Sequence, residues 1–299
     1  MKSFETECKN ENGGTRFLSA TWAGGFGSLP LPYLFRDSPS SSFAAISKAG
    51  FGAVELLLSA PDYVDGDIIE GLLEKNQLSL SAIGTGGAYV VHGLRLCGMD
   101  TDVREKAEDY IRRTISLSAR FGAATILGSV MGFSKGDCTR EEALSQVVPA
   151  IRRLADFAAE KGSVIMIEPL NRYECSIVSN IDQGLELLER VNSESVKLLV
   201  DCFHMNIEES SIAESIRKAG RCIGHVHISD SNRQAPGFGH IDFSEVFQAL
   251  RDIAYKGYVS IEAFPLPDSE SSAREGARTY RKYFNSAGKT PVLHSHERE

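Results

Sequence analysis

The chain has 299 residues, 42% of them hydrophobic and 24% charged, with 27 Gly and 10 Pro. That composition belongs to a globular protein and excludes disordered and fibrous classes. The formal charge is −8 and no run of Lys or Arg is dense enough to neutralise a phosphate backbone, which excludes nucleic acid as a partner. No stretch approaches the ~20 apolar residues of a membrane span, and MKSFETECKNENGGTR lacks the basic start and apolar stretch of a signal peptide. The six cysteines (Cys8, Cys97, Cys138, Cys175, Cys202, Cys222) include no C-x-x-C pair and read as reduced thiols of a cytoplasmic protein.

From Phe17 onward, short apolar runs alternate with longer amphipathic ones, the pattern of repeated β/α units. In chain order the expected strands are FLSATWA from Phe17, GAVELLL from Gly52, LSLSAIGT from Leu78 and ATILGSV from Ala124. VIMIEPL from Val164, VKLLVDC from Val196, CIGHVHI from Cys222 and YVSIEAF from Tyr258 follow, making eight. Between them, DVREKAEDYIRRTISLSARFG, REEALSQVVPAIRRLADFAAEKG and IDQGLELLERVN carry apolar residues at helical spacing. Gly50, Gly122, Gly162 and Gly220 stand where helices stop before a strand. With no linker and no G-x-G-x-x-G after the first strand, a single (β/α)₈ barrel is expected rather than a dinucleotide-binding sheet with a second domain. The expected organisation is an N-terminal extension over 1–16, a barrel over 17–286 and a tail over 287–299.

Barrels of this kind build their active sites at the C-terminal ends of the strands. Four consecutive strands end in chemistry: Glu168 on the fifth, Asp201 on the sixth, His225 and His227 on the seventh, Glu262 on the eighth. A charge at the end of an apolar strand costs several kcal/mol unless something compensates it, to order of magnitude. Three converging carboxylates repel one another unless a dication sits between them. Oxygen donors with one nitrogen suit Mn²⁺ first, then Co²⁺ or Mg²⁺. His225 and His227 read as alternating across their strand, one facing the barrel interior and the other the helices, so that one is structural. Asn171, Arg172, Glu174, His204, Asp230, Asn232 and Arg233 follow in the loops as candidates for substrate hydroxyls. GTGGAY, from Gly84 to Tyr89, reads as a flexible substrate loop rather than a phosphate cradle. Trp22 and Phe26 either cover an apolar edge of a sugar or merely pack their loop.

IEPLNRYE, DCFHMN, HVHISDSNRQAPGFGHIDF and SIEAF resemble the ketose 3-epimerase branch of the xylose isomerase-like TIM barrels. The likeness runs from Phe17 to Tyr283 and is strongest from Val164 to Pro267. SAIGTGGAYVVHGL with the C-terminal half is most similar to the 5-keto-L-gluconate epimerases. The resemblance implies Glu168, Asp201, His227 and Glu262 as metal ligands, Glu168 and Glu262 as the acid/base pair, and Glu174, His204 and Arg233 as substrate contacts near the carbonyl. It also implies a homo-dimer or homo-tetramer acting on a small keto-sugar or keto-sugar acid such as 5-keto-L-gluconate, D-tagaturonate or a ketohexose. Ala263 stands where the family usually has Pro, and His92 where the keto-gluconate enzymes carry an acid, both expected to bear on substrate choice.

The expected chemistry is proton removal beside a carbonyl to give an enediolate, with a base on one face and an acid on the other. A one-base aldose–ketose isomerase such as a hydroxypyruvate isomerase, and a sugar dehydratase, share that first step. A three-metal DNA-repair endonuclease of the same fold needs histidines on the early strands, and none of the seven ends one there.

Overall fold

The computed structural model describes residues 17–133 and 139–284. The expected extension over 1–16 and tail over 287–299 lie outside the described residues, as do Cys8 and Cys138; Cys175, Cys202 and Cys222 are free thiols.

Eight parallel strands close into one barrel in sequence order, β1 (Leu18–Gly24) pairing with both β2 (Ala53–Leu58) and β8 (Val259–Ile261). The others are β3 (Ser79–Gly84), β4 (Ala124–Leu127), β5 (Ile165–Ile167), β6 (Val196–Asp201) and β7 (Ile223–Ile228). All eight expected strands form. Strands β4, β5 and β8 stop short of their expected ends, so Glu168 and Glu262 stand one residue beyond the ladder, at the mouth.

The surrounding helices are α1 (Pro39–Lys48), α2 (Gly66–Asn76), α3 (Gly86–Val90), α4 (Thr101–Arg120) and α5 (Arg140–Glu160). After them come α6 (Ile181–Val191), α7 (Cys202–Glu208), α8 (Ile212–Ala219), α9 (Phe243–Asp252) and α10 (Ser269–Phe284). Their starts follow from capping chemistry. Asp100 accepts from the backbone N–H groups of Asp102 and Val103 at the start of α4, and Thr139 and Glu142 form a reciprocal capping box on α5. Ala107, Tyr110, Ile111, Thr114, Ile115 and Ser118 form the buried stripe of α4 at three- and four-residue spacing. Gly50, Gly122 and Gly162, with φ of 86°, 64° and 69°, turn the chain from helix to strand in the left-handed region, as their positions predicted.

Inside the barrel, Ala82, Ala124, Ile126, Met166 and Leu199 form an apolar plug beneath the mouth. No helix among the described residues is long and apolar enough to cross a membrane.

Two expected loops are helical. GTGGAY enters α3, where a Cβ on Gly87 would lie 2.3 Å from the Leu58 carbonyl oxygen; only glycine lets this turn pack so closely, and the segment is a packed helical turn rather than a flexible loop. DCFHMN begins α7 because the Asp201 carboxylate accepts from the N–H groups of Phe203 and His204.

Candidate metal centre and active site

Glu168, Asp201, His227 and Glu262 come together at the C-terminal mouth, each offering one donor atom within 4.8 Å of the others. Nδ1 of His227 is the hub: it lies 3.3 Å from Glu168 Oε1, 3.3 Å from Glu262 Oε2 and 3.6 Å from Asp201 Oδ2. All four are buried, yet His227 Nδ1 and Glu168 Oε1 have no hydrogen-bond partner. Buried polar atoms left unpaired cost free energy, so two such atoms aimed into one cluster of carboxylates fit a cation. The charge agrees. Three carboxylates and the guanidinium of Arg233, which binds both oxygens of Asp201 at 2.8 and 2.6 Å and also Glu262 Oε2, leave a net −2 that a dication neutralises. Three oxygens and one imidazole nitrogen suit a hard or borderline divalent ion.

The electrostatics follow from burial and from these neighbours. Burial pushes the Glu168 carboxyl up to about 7, the Asp201 and Glu262 charges adding to the effect and His227 opposing it. Burial alone would raise Asp201 as well, but Arg233, His204 and His227 together outweigh it and hold that carboxyl well below the usual range. Burial would lower His227, yet Glu55 and the facing carboxylates raise it well above an ordinary histidine. His204 is pulled down by burial to about 4 and is neutral at physiological pH.

A cavity of about 130 Å³ opens over the cluster, lined by Glu168, Glu174, His204, His227, Arg233 and Glu262 on one side. Leu31, Tyr33, Leu57, Thr85, Val90 and Ser129 line the rest. A larger cavity of about 480 Å³ lies at the opposite end of the barrel; His225 lines it, and none of the four clustered side chains does. Asn171 joins the wall together: its amide donates to Glu174 Oε1 at 2.9 Å and lies 2.8 Å from His204 Nδ1.

Other expected residues lie elsewhere. Arg172 is paired with Glu208 on the outside, Asp230 accepts backbone N–H groups of Ser231, Gly237 and Ile241, and Asn232 donates to the Phe238 carbonyl. Trp22 donates to the Asp37 carbonyl and packs on Phe43, and Phe26 packs on Tyr33, so both serve packing. His92 points to the Ser59 carbonyl and lines a separate cleft with Tyr110, away from the metal cluster, so the expected bearing on substrate choice has no direct contact behind it.

The expectation that His225 and His227 face opposite ways is corrected by the structure. Residues two apart on a strand share a face. Both rings turn inward, 5.3 Å apart, and both meet Glu55 of β2, which the sequence reading passed over. The available signal was a charge in the middle of the apolar run AVELLL. Tyr33 was also missed; its hydroxyl is driven well above the usual range by burial, with Glu262 and Glu168 adding to it.

The family model for xylose isomerase-like TIM barrels matches residues 43–283. The L-ribulose 3-epimerase of Methylomonas sp. (strain DH-1) is 33% identical over 227 residues, covering 75% of this chain and 77% of that one. The D-psicose 3-epimerase of Agrobacterium fabrum is 33% identical over 224 residues, 73% of this chain and 77% of its own. The crystal structure of D-allulose 3-epimerase from Methylomonas sp. in complex with D-allulose superposes with a TM-score of 0.77 at 27% identity, covering 89% of this chain and 96% of that one. This chain belongs to the xylose isomerase-like TIM barrels and, within them, to the ketose 3-epimerase family of sugar epimerases.

Proposed function

We propose that this chain inverts the carbon beside the carbonyl of a small, free keto-sugar, using a divalent cation, Mn²⁺ first among them, held by Glu168, Asp201, His227 and Glu262. The observation that carries the reading is the approach of two cavity-lining carboxylates, Glu168 and Glu262, to the same His227 nitrogen at 3.3 Å each, from just beyond the ends of strands β5 and β8. When bound, the cation supplies a Lewis acid for the carbonyl oxygen and its neighbouring hydroxyl. Glu168 and Glu262 then serve as the two acid/base groups, one taking the proton from carbon on one face and the other returning a proton on the opposite face. A one-base isomerase needs one such group; two facing carboxylates suit inversion. His204, neutral, and Glu174, tied to it through Asn171, hold substrate hydroxyls near the carbonyl. Arg233 keeps Asp201 and Glu262 in place and contacts the same end of the sugar.

The substrate we favour is a neutral ketose. Arg233 is the one Arg or Lys among the described residues lining the cavity, and its two terminal nitrogens are engaged by Asp201 and Glu262. Leu31, Leu57, Val90 and Leu170 add apolar wall. A terminal carboxylate, as in 5-keto-L-gluconate or D-tagaturonate, finds no free cation among the described residues there.

The test is to strip the protein with chelator, restore Mn²⁺, and separate the products from ketopentoses, ketohexoses and keto-uronates by chromatography. The reading predicts a metal-dependent epimer of a neutral ketose with its carbonyl unmoved. An aldose product replaces epimerase by isomerase, and turnover of the keto-uronates alone overturns the neutral-substrate assignment.

A further inference from the structure

Glu55 is the sole charged residue of β2 and is fully buried. An ionised carboxylate in the centre of a barrel is costly unless donors surround it. Here both donors are imidazoles: Oε2 of Glu55 lies 2.8 Å from Nε2 of His225 and 3.1 Å from Nε2 of His227, and Oε1 lies 2.9 Å from the same His227 nitrogen. The two Oε2 contacts are hydrogen bonds, a single oxygen shared by two rings, while Oε1 has no hydrogen-bond partner. A carboxylate only accepts, so each Nε2 donates. The trio is a sealed hydrogen-bond unit; Glu55, His225 and His227 are 0%, 1% and 1% exposed.

The barrel deforms locally to bring this trio together. The β2–β3 pairing slips between Val54 and Glu55, leaving Ser81 unpaired, and the β6–β7 pairing slips between Leu198 and Leu199, leaving Gly224 unpaired just before His225. Ser81 Oγ donates to the Val54 carbonyl beside the first slip. Such irregularities re-aim side chains, and here they flank the carboxylate on one strand and its first imidazole on another. The consequence reaches the metal cluster through one ring. Once the ring is neutral, with Nε2 of His227 donating to Glu55, Nδ1 is the nitrogen whose lone pair is free, and it is the atom without a hydrogen-bond partner that faces Glu168, Asp201 and Glu262.

We propose that Glu55 is a positioning residue for the metal: clamped between His225 and His227, it fixes the tautomer and orientation of His227 so that Nδ1 is presented to the cation. The proposal rests on the metal-dependent reading above. Removing a hydrogen-bond partner of this kind from a metal-bound histidine costs roughly 10- to 100-fold in metal affinity.

The experiment compares wild type with Glu55→Gln. Titration calorimetry gives the Mn²⁺ dissociation constant, and the visible absorption of the Co²⁺-loaded proteins reports the ligand geometry. The melting temperatures of both metal-free proteins serve as the check on folding. The proposal expects Glu55→Gln to bind Mn²⁺ about 10- to 100-fold more weakly, with an altered Co²⁺ spectrum. Unchanged Mn²⁺ affinity and spectrum in a folded variant overturn it. Nitrogen-15 NMR of the wild-type histidines, with His227 assigned by its loss in His227→Gln, stands whether or not Glu55→Gln folds. The Co²⁺ and Mn²⁺ sites are paramagnetic, so this is read on the Mg²⁺-loaded protein. A proton on Nε2 of His227 supports the proposal and a proton on Nδ1 overturns it. Wild-type protein that binds no divalent cation overturns the metal-dependent reading itself, an outcome distinct from a variant that binds as tightly as wild type.

Discussion

Metal binding to this site competes with protons, and the structure sets how steeply. In the metal-free protein Glu168 is held up to about 7 by burial, and His227 is raised well above an ordinary histidine once the surrounding carboxylates outweigh its burial. At neutral pH His227 therefore keeps its proton and Glu168 is about half protonated, and a cation must displace those protons. Affinity therefore rises with pH and falls as pH drops through about 7. Each pH unit below a group's pKa costs about 1.4 kcal/mol, a factor of about ten. From pH 8 to pH 6, Glu168 alone weakens Mn²⁺ binding by about tenfold, and the His227 proton adds up to about a hundredfold more. Calorimetry in buffers of different ionisation enthalpy counts the protons released. Near pH 6 the count is expected between about one and two, falling toward the His227 proton alone at pH 8. An affinity flat between pH 6 and pH 8, with no proton release, would show that neither group holds the cation and refute the ligand assignment.

Three further outcomes follow from the same geometry. Glu262→Gln removes one acid/base group and one negative charge, so turnover falls by about 10²- to 10⁴-fold while weaker Mn²⁺ binding persists by calorimetry; a variant with near wild-type kcat sinks the two-carboxylate scheme. In Gly128→Ala the added Cβ would lie 2.9 Å from Glu168 Oε2, closer than side chains tolerate, so the carboxylate shifts and kcat falls by about an order of magnitude or more; unchanged kinetics would mean Glu168 moves freely. Arg233→Ala leaves Asp201 and Glu262 without their guanidinium, and both kcat and KM are expected to change in steady-state assays, whereas an unchanged KM removes Arg233 from substrate contact.

The legible part of this site is the part where local cost betrays purpose. Glu168, Asp201, His227 and Glu262 stand out because each ends an apolar strand, and in a closed barrel consecutive strand ends are neighbours in space. Glu55 carries the same cost in mid-strand, but no local pattern says that β7 lies across the barrel to receive it; that contact is 170 residues away in the chain. The two-residue spacing of His225 and His227 held the right answer, a shared face, and only the partner on β2 gives both rings a purpose. The short helices α3 and α7 escaped because their determinants are tertiary or chemical: a glycine forced by the Leu58 carbonyl, and a cap supplied by Asp201, a residue already assigned to metal. The loop residues divided by depth. Glu174, His204 and Arg233 line the cavity, whereas Asp230, equally polar and equally placed after a strand, spends its oxygens on its own loop.

The central claim is that metal-dependent proton exchange at one carbon inverts a keto-sugar. Metal-free protein restored with a divalent cation and incubated with free ketoses in D₂O tests it directly, with product and deuterium followed by NMR after removal of the metal. The account predicts an epimer carrying deuterium at the inverted carbon, formed only with the cation present. Epimer formed without deuterium, or equally well in chelator, would contradict it.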